Sequence, residues 1–103
     1  MVFVESRIFT RFLPDYLTDE EYRRLQCHMA VAPESGDIIR GTGGIRKLRW
    51  GRGGKGKSGG VRVIYYWQTP EDEIYLLTLY SKGEVADLKA EEKKILKRMV
   101  ESW

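Results

Sequence analysis

The chain is poor in the residues from which many enzyme sites are built. Its 103 residues include one cysteine, Cys27, and one histidine, His28. A single cysteine excludes an internal disulfide framework, and a zinc site of the usual cysteine and histidine type lacks ligands, so no metal is expected. A ribonuclease built on two histidines is excluded on the same count. No apolar run approaches the roughly 18 residues that span a bilayer, so no membrane partner is expected. The opening MVFVESRIF carries Glu5 and Arg7 inside any would-be apolar stretch; it does not read as a signal peptide, and the cytoplasm is the expected compartment. Core-forming residues, by contrast, are not scarce. With 42% hydrophobic and 32% charged residues, the composition fits one compact domain over residues 1–103 and not a disordered chain.

Acidic residues are missing from one long segment. Between Arg40 and Arg62 there are eight basic residues and no acid; the whole chain has 18 basic and 15 acidic residues, which leaves ten against fifteen elsewhere. A segment at +8 joined to a body at −5 attracts phosphates or an acidic partner.

The periodicity supplies a frame for these charges. Residues 2–5 read as a strand, and Ile8, Phe9, Phe12 and Leu13 as a short helix stopped by Pro14. Thr18 to Glu21 forms a capping box, with Leu17 and Tyr22 at staple spacing, and opens a helix over about 18–32 on which Tyr22, Leu25 and Met29 share a stripe. Strands follow over Ile45–Trp50, Val61–Gln68 and Ile74–Tyr80, then an amphipathic helix over Ala90–Trp103. The expected class is α+β, a mainly antiparallel sheet with helices on one face. The glycine-rich Gly51–Gly60 is expected to be mobile when nothing is bound.

Two motif matches fail on context. Gly51 to Ser58 satisfies the G-x-x-x-x-G-K-S phosphate loop, and Gly51, Gly53 and Gly56 satisfy G-x-G-x-x-G. Both motifs hold phosphate on the N-terminus of a following helix, whereas Ser58 is followed by two glycines and a strand. His28 has Leu25 and Val31 at helical spacing and, with Cys27, reads as packing at a core edge. Trp67 reads as a core aromatic, and Tyr66 shares strand parity with Arg62.

Strand parity gathers a cationic set. Lys47 and Arg49 project from one face, about 7 Å apart, while Arg62 leads the next strand and Tyr80 and Lys82 share parity at the end of the third. In a meander these groups converge at one end of the sheet, on the face expected to be free of helices. Arg46, Arg52, Lys55, Lys57 and Tyr66 are the candidates for further RNA contacts. Several cations and a phenol without histidine suit binding of a phosphodiester and stabilisation of charge on it. A lysine would serve as base only with a pKa well below about 10.4; Glu84 is the carboxylate alternative.

The ordered set Gly36-Asp-Ile-Ile, Gly41-Thr-Gly-Gly-Ile-Arg-Lys-Leu-Arg-Trp50, Gly54-Lys-Gly-Lys57, Gly59-Gly-Val-Arg-Val-Ile-Tyr-Tyr66 and Leu76-Leu-Thr-Leu-Tyr-Ser-Lys82 resembles the RelE/HigB toxins of bacterial type II toxin–antitoxin systems, the HigB branch most of all. The resemblance runs nearly the full chain. It implies a sheet-and-helix fold related to microbial ribonucleases, and a ribosome-dependent mRNA endonuclease that works without a cofactor or metal. By position it implies catalytic roles for Lys47, Arg49, Arg62, Tyr80 and Lys82. Ser58 and Gly83 depart from the residues common there. The implied partners are the ribosome, mRNA and a cognate HigA-like antitoxin of helix-turn-helix type, with operator DNA reached only through the antitoxin. Two surfaces are candidates for the inhibitor, the basic face itself and the apolar helix edges around Phe9, Phe12 and Met29, with the helix edges favoured. A non-catalytic RNA- or ribosome-binding module using the same basic face is the alternative.

Overall fold

A computed structural model of the chain describes residues 1–51, 60–84 and 88–103. In chain order the elements are β1 (Val2–Glu5), α1 (Arg7–Tyr16), α2 (Asp19–Val31), β2 (Asp37–Ile38), β3 (Arg46–Trp50), β4 (Val61–Gln68), β5 (Glu73–Ser81) and α3 (Ala90–Glu101). They build one five-stranded sheet in the order β1-β5-β4-β3-β2. Every pairing is antiparallel except β1 with β5, which runs parallel. Among the described residues no helix is long and apolar enough to cross a membrane.

The expected capping box is present: Thr18 Oγ1 accepts from the Glu21 N–H, and the Glu21 carboxylate accepts from the Thr18 N–H. α2 then buries Leu25 and Met29. α1 departs from expectation, because Pro14 does not end it and the helix runs on to Tyr16. A proline inside a helix removes one N–H bond and crowds the preceding turn. The last turn is nevertheless closed by the Leu17 N–H on the Leu13 carbonyl, and Phe9, Leu13 and Tyr16 pack into the core beyond it. Phe9, fully buried, stabilises by about 1.5–3 kcal/mol, and the partly buried Leu13 and Tyr16 add to it against the cost of the proline.

The sheet is covered on both faces. On one face Phe9, Leu17, Leu25 and Met29 pack with Leu48, Val63, Tyr65 and Leu76. On the other, Leu96 of α3 packs with Ile45, Ile64, Tyr75 and Leu77. Two helices thus share a face as expected, and α3 crosses to the face expected to be bare. Its amphipathic stripe required a partner, and the second apolar side of β4 and β5 is that partner.

β5 carries a bulge. Tyr65 pairs with Leu76 and Ile64 with Thr78, so Leu77 has no rung of its own. Ser6 secures the irregularity: its Oγ donates to the Leu77 carbonyl at 2.7 Å and accepts from the Phe9 N–H as the N-cap of α1. The bulge reverses parity along the strand. Ile74 and Leu76 face α1 and α2, whereas Tyr80, four residues beyond Leu76, lies on the α3 face.

Candidate active site

On the α3 face the ladder sets three expected residues in one transverse row. Tyr80 is the register partner of Arg62, and Arg62 of Arg49. With strands about 4.8 Å apart, the row spans about 10 Å. Two residues along β3, Lys47 projects from the same face, and Asp37 of β2 is its register partner. Like charges directly across a ladder destabilise it unless an anion compensates them. Arg62 sharpens the point: its Nη1 is buried and has no hydrogen-bond partner among the described residues. Buried donors are rarely left so. Two guanidiniums set side by side can take a phosphate, which accepts paired N–H donors.

Beside this row a cleft of about 300 Å³ opens between β2, β3 and the start of α3. Lys47 and Arg49 line it together with Asp37, Arg40, Lys93, Ile39 and Leu88. Asp37, Arg40 and Lys93 are not among the site residues expected from sequence, although Arg40 opens the basic segment and Asp37 lies in the Gly36-Asp-Ile-Ile string. β2 is two residues long, too short for a period, and Lys93 becomes visible only once α3 is known to cross the sheet; it then follows from lying one turn before buried Leu96.

The other expected residues divide. Tyr66 shares the face of Arg62 but lies about 13 Å along the strand, where its ring stacks on Tyr75 at 6.2 Å. Tyr75 in turn stacks on Trp103 at 4.4 Å. Burial, with Glu73 and Glu71 adding to it, pushes the Tyr75 phenol above its usual range. Arg46 lies on the opposite face, paired with Tyr65. Its Nη1 donates to the Glu34 and Gly36 carbonyls at 3.0 and 2.9 Å, so it holds backbone where an RNA contact was expected. Even and odd residues of β3 face opposite ways, and Arg46 falls on the even side. Lys82 is exposed in the turn after β5, where its N–H donates to the Gly60 carbonyl. Arg52, Lys55 and Lys57, and most of the glycine-rich segment expected to be mobile, lie outside the described residues.

Glu84 is held apart from the cleft. Its carboxylate accepts from the Tyr16 hydroxyl at 2.8 Å and from the Ser81 N–H at 2.6 Å. His28 tilts against Trp50 at 5.1 Å and its Nε2 lies 3.1 Å from Ser35 Oγ, in line with the packing role; Cys27 is exposed. Phe9 and Met29 are fully buried, so of the helix residues expected to meet an inhibitor only Phe12 is exposed, beside Ile8. No group of His, Cys, Asp and Glu among the described residues could hold a metal ion.

The segment leading into β2 is fixed from beneath. The buried Tyr65 hydroxyl donates to the Pro33 carbonyl at 2.7 Å and accepts from the Gly36 N–H at 2.9 Å. A Cβ on Gly36 would stand 2.8 Å from the Tyr65 ring and hydroxyl, so only glycine lets the chain pass there. Arg46 and Tyr65 together hold the residues that present Asp37 to the cleft.

Comparison with known proteins bears on the fold and the family. The isolated E. coli RelE toxin has a similar fold, with a TM-score of 0.57 at 14% identity over 95% of this chain and 97% of that one. The family described as the RelE toxin of the RelE/RelB toxin–antitoxin system matches residues 3–103. The chain therefore belongs to the RelE toxin family.

Proposed function

We propose that this protein is the toxin of a type II toxin–antitoxin system, of the HigB branch, and that it cleaves mRNA on the ribosome. The observation that carries the reading is the facing pair Arg49 and Arg62, with the buried, unpartnered Nη1 of Arg62 beside a cationic cleft. The reacting phosphate sits between the two guanidiniums. A ribose 2′-hydroxyl gives up its proton and attacks it, the bond to the 5′-oxygen breaks and that oxygen takes up a proton, and the products are a 2′,3′-cyclic phosphate and a 5′-hydroxyl. Negative charge grows on the phosphate oxygens along this path, and cations fixed in advance around them lower the barrier. Lys47 adds a third charge, Tyr80 orients the strand from the far end of the row, and Lys82 extends the cationic edge. Lys55, Lys57 and Arg52 take RNA phosphates outside the reacting centre.

A surface cleft positions a flexible strand poorly. The ribosome supplies the orientation, which is worth roughly 7 kcal/mol or more when complete, so weak cleavage of free RNA is expected. The implied setting is the cytoplasm. The implied inhibitor is a HigA-like antitoxin, and operator DNA is reached through that antitoxin.

The test is expression of the wild type and of Arg62→Ala in growing bacteria, with mRNA ends mapped by primer extension. The expected result is growth arrest with cut mRNAs in the wild type alone. Arrest with mRNAs whole would instead identify a non-catalytic ribosome-binding module on the same basic face.

A further inference from the structure

One side chain in the cleft opposes the field around it. Asp37 lines the space with four cations, Arg40, Lys47, Arg49 and Lys93. A carboxylate there repels the phosphates the cations attract. Pairing with a neighbour does not explain it, because among the described residues no ion pair engages Asp37, although Lys47 is its register partner. Nor is its position loose: the chain just before it is pinned by the Tyr65 hydroxyl on Gly36 and by Arg46 on the Gly36 carbonyl. An ionised carboxylate only accepts hydrogen bonds. What it recognises in a strand of RNA is therefore a donor, either a ribose 2′-hydroxyl or an N–H on a base edge, and only the second differs from one nucleotide to the next.

The walls agree with a base. Ile39 and Leu88 add apolar surface on two sides of the cleft, from the β2 end and from the segment before α3. A space of about 300 Å³ admits one nucleoside. Half-buried Lys93 and exposed Arg40 lie where a phosphate on that nucleoside would be met.

We propose that this cleft is a nucleotide subsite adjoining the reacting phosphate, and that Asp37 selects its base, favouring guanine over uracil. Guanine presents adjacent N1–H and N2–H donors, which a carboxylate accepts together. Uracil presents one N–H between two carbonyl oxygens, which a carboxylate repels. The inference rests on the nuclease reading for what adjoins the subsite, but binding in it needs no cleavage.

The experiment titrates the whole protein with guanosine 3′-monophosphate and with uridine 3′-monophosphate, followed by NMR at one salt concentration. The wild type is expected to bind the guanosine nucleotide about tenfold more tightly, the discrimination of a bidentate pair. Asp37→Asn should bring the ratio near one while binding the uridine nucleotide at least as well as the wild type. Lys93→Ala should weaken both nucleotides alike and leave the ratio unchanged, which keeps the test decisive if Asp37→Asn fails to fold. Equal affinities in the wild type, an unchanged ratio in Asp37→Asn, or shifts away from the cleft would each overturn the proposal. Cut mRNAs without nucleotide discrimination would remove the subsite and leave the nuclease. Discrimination with mRNAs left whole would do the reverse.

Discussion

Arg49 and Arg62 face each other across the β3–β4 ladder, two cations on one face of one rung. Their repulsion costs stability, and an anion bound between them recovers it. Inorganic phosphate should therefore raise the melting temperature of the wild type, by the linkage that stabilises any folded protein with its ligand, and should leave Arg62→Ala unmoved. Arg62→Ala should melt no lower than the wild type and should lose toxicity. A melt far below the wild type would make its effect structural. Arg62→Lys should restore little, since an ammonium lacks the planar fork.

Lys47→Ala and Arg49→Ala should each weaken ribosome association and reduce its dependence on salt. Each lost phosphate contact lowers the slope of log affinity against log salt by about one. Filter binding across a salt series measures it. Full toxicity in both variants would remove β3 from the site.

Tyr65→Phe should cost about 1–3 kcal/mol, because the Pro33 carbonyl and the Gly36 N–H both lose their partner in a buried place. Gly36→Ala should cost a similar amount by driving a methyl group into the same ring. Urea unfolding gives both values. Both variants should also broaden the NMR signals of Asp37 and Ile38, the residues that follow.

Stability should fall in alkali. Burial, then the Glu5 carboxylate, pushes the Tyr22 phenol well above its ordinary range, and burial pushes Tyr65 up as well. Above about pH 10 the unfolded chain releases phenol protons that the folded chain keeps. The stabilisation is thus complete below that pH and is lost as pH rises through the folded values. Melting temperatures from pH 8 to 11 should fall more steeply in the wild type than in Tyr22→Phe.

Much of this was legible in the residues. The capping box at Thr18, the strand of VRVIYYWQ and the parity of Lys47, Arg49 and Arg62 follow from spacing alone. Three things did not. Pro14 obeys a local rule that the packing of Phe9 and Leu13 overrides. α3 shows an apolar stripe in sequence but not which face of the sheet receives it. The parity of β5 misleads most: counted from Ile74 and Leu76, Tyr80 falls on the face of α1 and α2, and only the bulge at Leu77 turns it toward Arg62. Ladder irregularities come from long-range contacts, here from Ser6, which no local pattern reports.

Ser6→Ala should therefore act at a distance. It removes an N-cap, worth about 1 kcal/mol, and frees the Leu77 carbonyl. Single-turnover cleavage on ribosomes should slow by more than that loss of stability explains. Cleavage at the wild-type rate would show that the bulge holds without its clamp.

The same clamp joins residue 6 to residue 77, and the parallel pairing of β1 with β5 spans a similar stretch of chain. During synthesis β1 leaves the ribosome with nothing to pair with, and Tyr80 is aimed only after β5 has emerged. Contacts this distant in sequence form late in folding. A copy that stops before β5 therefore carries the cations of β3 but not the finished row, which exists only once the last strand has joined the sheet.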